Sequence, residues 1–293
     1  MPRIEPSHPE VESFFHKDTG TWTHVVHDGE TGAIIDPVLD YDAAAARTAT
    51  TSADAVLAFV RQRGLQTAWI LETHAHADHL SAAGYLQEVL GAPIAIGRGI
   101  LGVQAHFSEM FGLGEDFAAD GSQFDRLLDD GEVLPVGSLQ VCVMGTPGHT
   151  CDSLTYVAGN AAFVGDTLFA PDIGTARCDF PGGDAAQLHA SIRRILALPP
   201  STRLFLCHDY PPPARAVCRE TTIACEAQEN VQVGGGVGAD EFVAKRRARD
   251  ATLPVPRLLL PALQVNIRGG RLPPAGADGR QYLRLPLNRI GGH

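Results

Sequence analysis

The stretch Thr73-His74-Ala75-His76-Ala77-Asp78-His79 decides how this chain is read. Three histidines and an aspartate fall within six residues, a density that core packing rarely produces. Alternate residues of an extended segment point to the same side, so His74 and His76 can converge on one point. Asp78 and His79 follow where the chain must turn, and can face a neighbouring point. Imidazole and carboxylate at this spacing are the ligands of zinc or iron.

Just before the cluster, Thr67 to Leu71 reads as a short apolar strand that delivers it. A helix is expected from about His79 to Leu90, and Pro93 to Ile96 reads as another strand. Further upstream, Glu12 to His16, Trp22 to His27 and Gly32 to Pro37 read as strands, the last ending at a proline. Ser52 to Gln62 has helical periodicity, with Val56, Phe59 and Val60 on one face, Ser52 as N-cap and Gly64 as stop. Downstream, Leu139–Met144, Leu154–Val157, Ala161–Val164 and Leu204–Cys207 read as strands. Helices are expected at Asp184–Leu198, Ala214–Gln228 and Asp240–Arg249. From about Leu253 the chain is rich in proline and arginine, and is expected to wrap the rest. Short strands interrupted by a few helices imply an α/β fold with two sheets covered by helices.

Three strand ends carry further polar residues. Gly145-Thr146-Pro147-Gly148-His149-Thr150 closes a strand with a tight turn and presents His149. Val164-Gly165-Asp166-Thr167 presents Asp166, and Leu206-Cys207-His208-Asp209-Tyr210 presents His208. A lone histidine at a strand end is usually structural. Three such ends, together with the cluster at 74–79, make a ligand set, because loops display function on a rigid scaffold.

The composition narrows the class of function. The chain has 293 residues, 44% hydrophobic and 19% charged, enough for a sizeable core. Its formal net charge of -11 disfavours nonspecific binding to nucleic acid or an anionic membrane. Met1-Pro2-Arg3-Ile4-Glu5-Pro6 has no apolar signal core, and no apolar run approaches membrane-spanning length. Six cysteines without a CxxC pair are too sparse for a disulfide scaffold, which points to reduced thiols and a cytoplasmic protein.

The order HxHxDH, GHT, GD and His resembles the metallo-β-lactamase superfamily, over roughly residues 12 to 212. The resemblance implies an αββα sandwich with metal at the ends of the two sheets, in one domain on which residues 214–293 pack. For the dinuclear hydrolases of that superfamily it implies His74, His76 and His149 on one metal. Asp78, His79 and His208 would then bind the other, with Asp166 bridging. A closer resemblance is to the persulfide dioxygenases related to the ETHE protein and their bacterial sulfide-detoxification relatives. It rests on Thr73 to His79, Gly165-Asp166-Thr167-Leu168, Arg177-Cys178-Asp179-Phe180, His208-Asp209-Tyr210, Asp240-Glu241-Phe242-Val243 and Val265-Asn266-Ile267-Arg268. That likeness implies one Fe(II) per chain on His74, His149 and Asp166. His76, Asp78, His79 and His208 would then orient the ligands rather than bind a second metal. It further implies that Arg177 and Tyr210 contact glutathione persulfide, which O₂ would convert to sulfite and thiol.

Two other readings stand beside it: a dinuclear zinc thioester hydrolase of the glyoxalase II type, and a non-catalytic sulfur or metal sensor. All seven dinuclear positions are filled, so the residues alone leave the metal number open. A homodimer is compatible with the sequence. After Tyr210 the chain departs from the mammalian pattern with Pro211-Pro212-Pro213. An arginine expected in the following helix is missing, and Gln232 lies nearest in register. Cys151, Cys178 and Cys207 read as core residues, and Lys245-Arg246-Arg247 as a solvated helix face.

Overall fold

The computed structural model describes residues 8–290, so the reading of Met1 to Pro6 falls outside the described residues. The first half contains β1 (Glu10–His16), β2 (Thr21–His27), β3 (Thr31–Ile35), β4 (Val38–Asp42), β5 (Arg47–Ala49), α1 (Thr51–Arg63), β6 (Gln66–Leu71), β7 (Leu80–Ser81), α2 (Ala83–Leu90), β8 (Ile94–Gly97), α3 (Ile100–Phe111) and β9 (Arg126–Leu128). The second half contains β10 (Val133–Val136), β11 (Leu139–Gly145), β12 (Leu154–Ala158), β13 (Ala161–Phe163), α4 (Ala185–Ile195), β14 (Arg203–Phe205), β15 (Glu220–Thr222), α5 (Ile223–Glu229), α6 (Ala239–Asp250) and α7 (Leu259–Asn266).

Two six-stranded sheets result, in the orders β1-β2-β3-β6-β8-β9 and β10-β11-β12-β13-β14-β15; β5-β4-β7 make a small third sheet. The two-residue period of a strand explains the layering. Val25, Ile34, Ile70 and Ile94 face a helical layer that includes Val56 and Val60 of α1, Leu86 of α2 and Leu263 of α7. Their neighbours Val26, Ile35, Leu71 and Ala95 face the second sheet, against Leu134, Val141, Tyr156, Phe163 and Phe205. On the far side of the second sheet, Leu188 and Ile192 of α4 pack with Phe242 of α6. A buried Val, Ile, Leu or Phe contributes about 1.5–3 kcal/mol, so neither face of either sheet can be left wet. This is the αββα sandwich, in the α/β class.

The sandwich positions the site because like-directed strands end together. β3 and β6 are parallel and stop at Ile35 and Leu71. β13 and β14 are parallel and stop at Phe163 and Phe205. The loops that follow them meet at one edge, with the loop after β11.

Several elements differ from expectation. The helix expected from His79 starts at Ala83, because Leu80 and Ser81 pair with Val38 and Leu39 of β4 instead. Ser52 is not the N-cap of α1: its amide and hydroxyl donate to Asp40 at 2.9 and 2.7 Å from inside the first turn. Gly64 does end that helix, with φ +67°. The helix expected over 214–228 is replaced by β15 and the shorter α5. The Asp209 carboxylate holds Arg215 and the Cys218 amide, and Glu220 pairs with Arg203 of β14 at 2.7 Å. The tail after Leu253, expected to wrap the rest, carries α7, a helix not expected from the sequence. Arg246 is not on a solvated face; it is buried against Asp250 at 2.6 Å. Among the described residues no helix is long and apolar enough to cross a membrane.

Candidate metal centre

The ligand loop is fixed by groups from distant parts of the chain. Asp36 directly follows β3 with φ +50°, a left-handed conformation that aspartate tolerates better than most residues. Its buried carboxylate accepts hydrogen bonds from the Thr73 amide at 2.7 Å, the Thr73 hydroxyl at 2.9 Å and His76 Nε2 at 3.0 Å. The Asp152 carboxylate accepts the Ala75 amide at 2.8 Å. Asn266 of α7 donates to the carbonyls of His76 and His79 at 2.7 and 2.8 Å and accepts the Ser81 amide at 2.8 Å. Two glycines permit close approach. Gly148 (φ +140°) lies against the backbone of Leu188, and a Cβ on Gly165 (φ +51°) would sit 2.7 Å from Thr73 Oγ1.

Each histidine of the site spends one ring nitrogen on the scaffold and turns the other inward. Thr73 gives its hydroxyl proton to Asp36, so at 3.1 Å it accepts from His74 Nδ1 and leaves the Nε2 lone pair free. His149 Nδ1 donates to the Arg177 carbonyl at 2.7 Å, and His208 Nδ1 lies 3.2 Å from Thr21 Oγ1. His76 is turned the other way: Nε2 lies on Asp36, with Glu72 at 3.4 Å, so its free atom is Nδ1. The inward atoms His74 Nε2, His76 Nδ1, His79 Nε2, His208 Nε2 and Asp166 Oδ1 are buried without a hydrogen-bond partner. Buried polar atoms are rarely left unpaired, so this convergence fits a metal. His24 makes the contrast. It is equally buried, but both nitrogens are paired, with Ser13 Oγ and the Leu206 carbonyl, each at 2.9 Å.

His74, His149 and Asp166 offer ligand atoms that all lie within 4.8 Å of one another, and so do Asp78, Asp166 and His208. Asp166 Oδ2 stands 3.9 Å from His74 Nε2 and 3.6 Å from His149 Nε2. Its Oδ1 stands 3.4 Å from His208 Nε2, which is also 3.4 Å from Asp78 Oδ2. The structure therefore gathers His74, His76, Asp78, His79, His149, Asp166 and His208 at one place. Burial, reinforced by neighbouring imidazoles, pushes the pKa of His74 and His79 well down and keeps them neutral, as ligation requires. Burial would do the same to His76, but Asp36 and Glu72 push it well up. Cys207 lies among these groups, and burial pushes its thiol well up, so it stays protonated. Cys178 is buried in the core, and burial pushes its thiol up to about 12.

A cavity of about 440 Å³ opens from Asp78, His149 and Asp166. Arg177 and Tyr210, expected at the substrate, both line it. The Tyr210 hydroxyl donates to Asp78 at 3.1 Å, and its ring stacks on His208, 7° from parallel. Arg177 is committed elsewhere: it grips Asp179 at 2.6 and 2.7 Å, donates to the Pro254 carbonyl at 2.6 Å and covers the Phe180 ring. Gln232 also lines the cavity, beside Thr175 at 2.7 Å. The sequence alone does not point to Asp36, Glu72, Arg249 or Arg257, and it assigns no task to Asn266. Asp36-Pro37 at a strand end is the one sign of a special backbone.

The geometry agrees with the comparisons. The metallo-beta-lactamase superfamily model matches residues 16–208, and the chain belongs to that superfamily. It is 53% identical to a probable metallo-hydrolase of Burkholderia pseudomallei, over 96% of this chain and 99% of the relative. It is 51% identical to a beta-lactamase hydrolase-like protein of Agrobacterium fabrum, over 97% of this chain, and it spans only 66% of that longer relative. A protein of Dictyostelium discoideum called glyoxylase B2 is 46% identical over 96% of this chain and 97% of its own length. Among solved structures, that of ETHE1 from Myxococcus xanthus superposes with a TM-score of 0.70 at 28% identity, covering 89% of this chain and all of that one.

Proposed function

We propose that this protein is a persulfide dioxygenase with one Fe(II) held by His74, His149 and Asp166. It would oxidise glutathione persulfide, or a similar small persulfide, in sulfide detoxification. The persulfide, O₂ and water give the thiol and sulfite, with both O₂ atoms and the water oxygen ending on the outer sulfur. The observation that carries this reading is the pairing of a two-histidine, one-carboxylate face with an open cavity, the arrangement that leaves positions free for a substrate and O₂. The chemistry that bound iron supplies is O₂ activation for oxygen transfer to sulfur, which zinc lacks.

The protein's own groups do the rest. His149, tethered through the Arg177 carbonyl, and His74, tethered through Thr73 and Asp36, keep fixed tautomers and orientations. Phe169 and Phe180 line the cavity with apolar surface that suits a sulfur chain. Tyr210 donates its hydroxyl to the Asp78 carboxylate at the cavity wall and so helps hold Asp78 in place.

The dinuclear thioester hydrolase is the second reading. It is favoured by the inward atoms of Asp78, His79 and His208 around Asp166 and by the glyoxylase B2 likeness. His149→Ala separates ligation from bystanding: iron should be lost, because two remaining ligands seldom hold Fe(II) against water. Retention of a full iron complement, with sulfite still formed from glutathione persulfide, would count against the assignment.

A further inference from the structure

Four arginines line the cavity: Arg177, Arg246, Arg249 and Arg257. Two are spent within the protein. Arg177 holds Asp179 and the Pro254 carbonyl. Arg246 holds Asp250, and its Nη1 reaches the Thr175 carbonyl and Gln232 at 3.1 Å each. Arg249, in the last turn of α6, and Arg257, just before α7, are exposed. Among the described residues neither guanidinium has a carboxylate or carbonyl partner. Two unspent cations on the wall of a cavity whose inner end is carboxylate and imidazole are conspicuous in a chain of net charge -11. The structure also ties them to the metal side. The Arg177 fork anchors Pro254, three residues before Arg257, to the 177–180 segment whose Arg177 carbonyl orients His149.

We infer that Arg249 and Arg257 bind the carboxylates of the thiol carrier, and that Arg177 is a positioning residue that holds the 254–257 segment. The inference rests on the proposed reaction for the identity of the carrier as a glutathione-like peptide thiol. A guanidinium presents a planar fork that matches a carboxylate, and a solvated cavity rim leaves room for it. The persulfide end would then point inward past Phe169 and Phe180 toward His149 and Asp166.

The probe is glutathione itself, titrated calorimetrically into anaerobic metal-loaded protein, alongside glutathione diethyl ester. Arg249→Ala and Arg257→Ala should each weaken glutathione binding about 5- to 20-fold, the low range for charge-assisted bonds at an exposed site. The ester should bind the wild type weakly and the variants equally weakly. Both positions are exposed, so folding should be unchanged by circular dichroism. Arg177→Ala should weaken glutathione binding in the wild-type background. Added to the Arg249→Ala/Arg257→Ala double variant, it should have no further effect. The inference is overturned if wild type binds glutathione and its diester alike, or if the double variant binds glutathione within twofold of wild type. A further loss in the triple variant would overturn the positioning role of Arg177. Glutathione binding that depends on these arginines, without persulfide oxidation, would preserve the grip and remove the reaction. The reverse pattern would preserve the reaction and remove the grip.

Discussion

Asp36 offers the sharpest test of how the ligand loop is held. Its carboxylate receives the Thr73 amide, the Thr73 hydroxyl and His76 Nε2 at 2.7, 2.9 and 3.0 Å, with only 2% of the residue exposed. Asp36→Ala removes the carboxylate acceptor of the buried His76 Nε2, a charge-assisted bond of about 1.5–3 kcal/mol. It also orphans the Thr73 amide, at about 1–3 kcal/mol, and places alanine at a left-handed φ, at about 1–2 kcal/mol. These costs overlap, and a net loss of about 4–6 kcal/mol approaches the whole stability of an ordinary domain. Asp36→Asn keeps the tolerated backbone and one acceptor, so about 2–3 kcal/mol is expected from the lost charge. In that variant the Thr73 hydroxyl can turn toward His74 Nδ1 and move the ring proton to the metal-facing nitrogen. Metal affinity should then fall about 10- to 100-fold. Urea denaturation of the metal-free variants at pH 7 and metal titration of Asp36→Asn measure both effects. If Asp36→Ala unfolds within about 1 kcal/mol of wild type the anchoring argument is wrong, and if Asp36→Asn binds metal as tightly as wild type the tautomer argument is wrong.

Three further outcomes are expected. Burial lifts Glu226 from 4.5 to about 7, so the fold prefers it protonated; this stability is complete below about pH 4.5 and is lost as pH rises through about 7. Glu226→Gln should match wild type in a pH 4.5 melt and exceed it above pH 7 by up to about 3 kcal/mol, because each tenfold change in proton affinity is worth about 1.4 kcal/mol. Asp28 joins the β2–β3 turn to Ser138 between β10 and β11, and the amides of Thr31, Ser138 and Glu30 hold its pKa well below 3.8. Asp28→Ala should cost about 1 kcal/mol at pH 7 because the site is solvated, and urea melts should show the difference shrinking as pH falls below 3.8. His208→Ala should retain iron and lose about 10- to 100-fold in activity, because a mononuclear site needs His208 only to orient its neighbours. Loss of a metal from that variant would indicate a dinuclear site.

The proposed metal ligands are legible in the sequence because each follows an apolar strand and carries chemistry that its local packing does not need. The same reasoning yields the two sheets, since alternate residues such as Ile34 and Ile35 must be buried on opposite faces. The supports are not legible. Asn266 lies 190 residues from His76, and nothing in Val265-Asn266-Ile267-Arg268 says which loop it holds. Asp36 looks like an ordinary turn residue before Pro37. Arg246, Arg249 and Lys245 share one local composition, yet Arg246 is buried on Asp250 while Arg249 faces the cavity. That difference is set by how α6 packs on α4, a tertiary fact. The helix α3, absent from the sequence-based expectations, does carry a signal in Ile100, Val103, Phe107 and Phe111, all of them buried. The helix expected over 214–228 fails for the opposite reason: strand pairing with β14 overrides local propensity.

The central claim is one iron on His74, His149 and Asp166 acting on a persulfide. Metal per chain in anaerobically purified wild-type protein, measured with O₂ uptake on glutathione persulfide in the same preparation, tests it most directly. One iron per chain, with O₂ consumed in step with sulfite released, is the predicted result. Two zinc ions per chain, with hydrolysis of a glutathione thioester and no O₂ uptake, would contradict it.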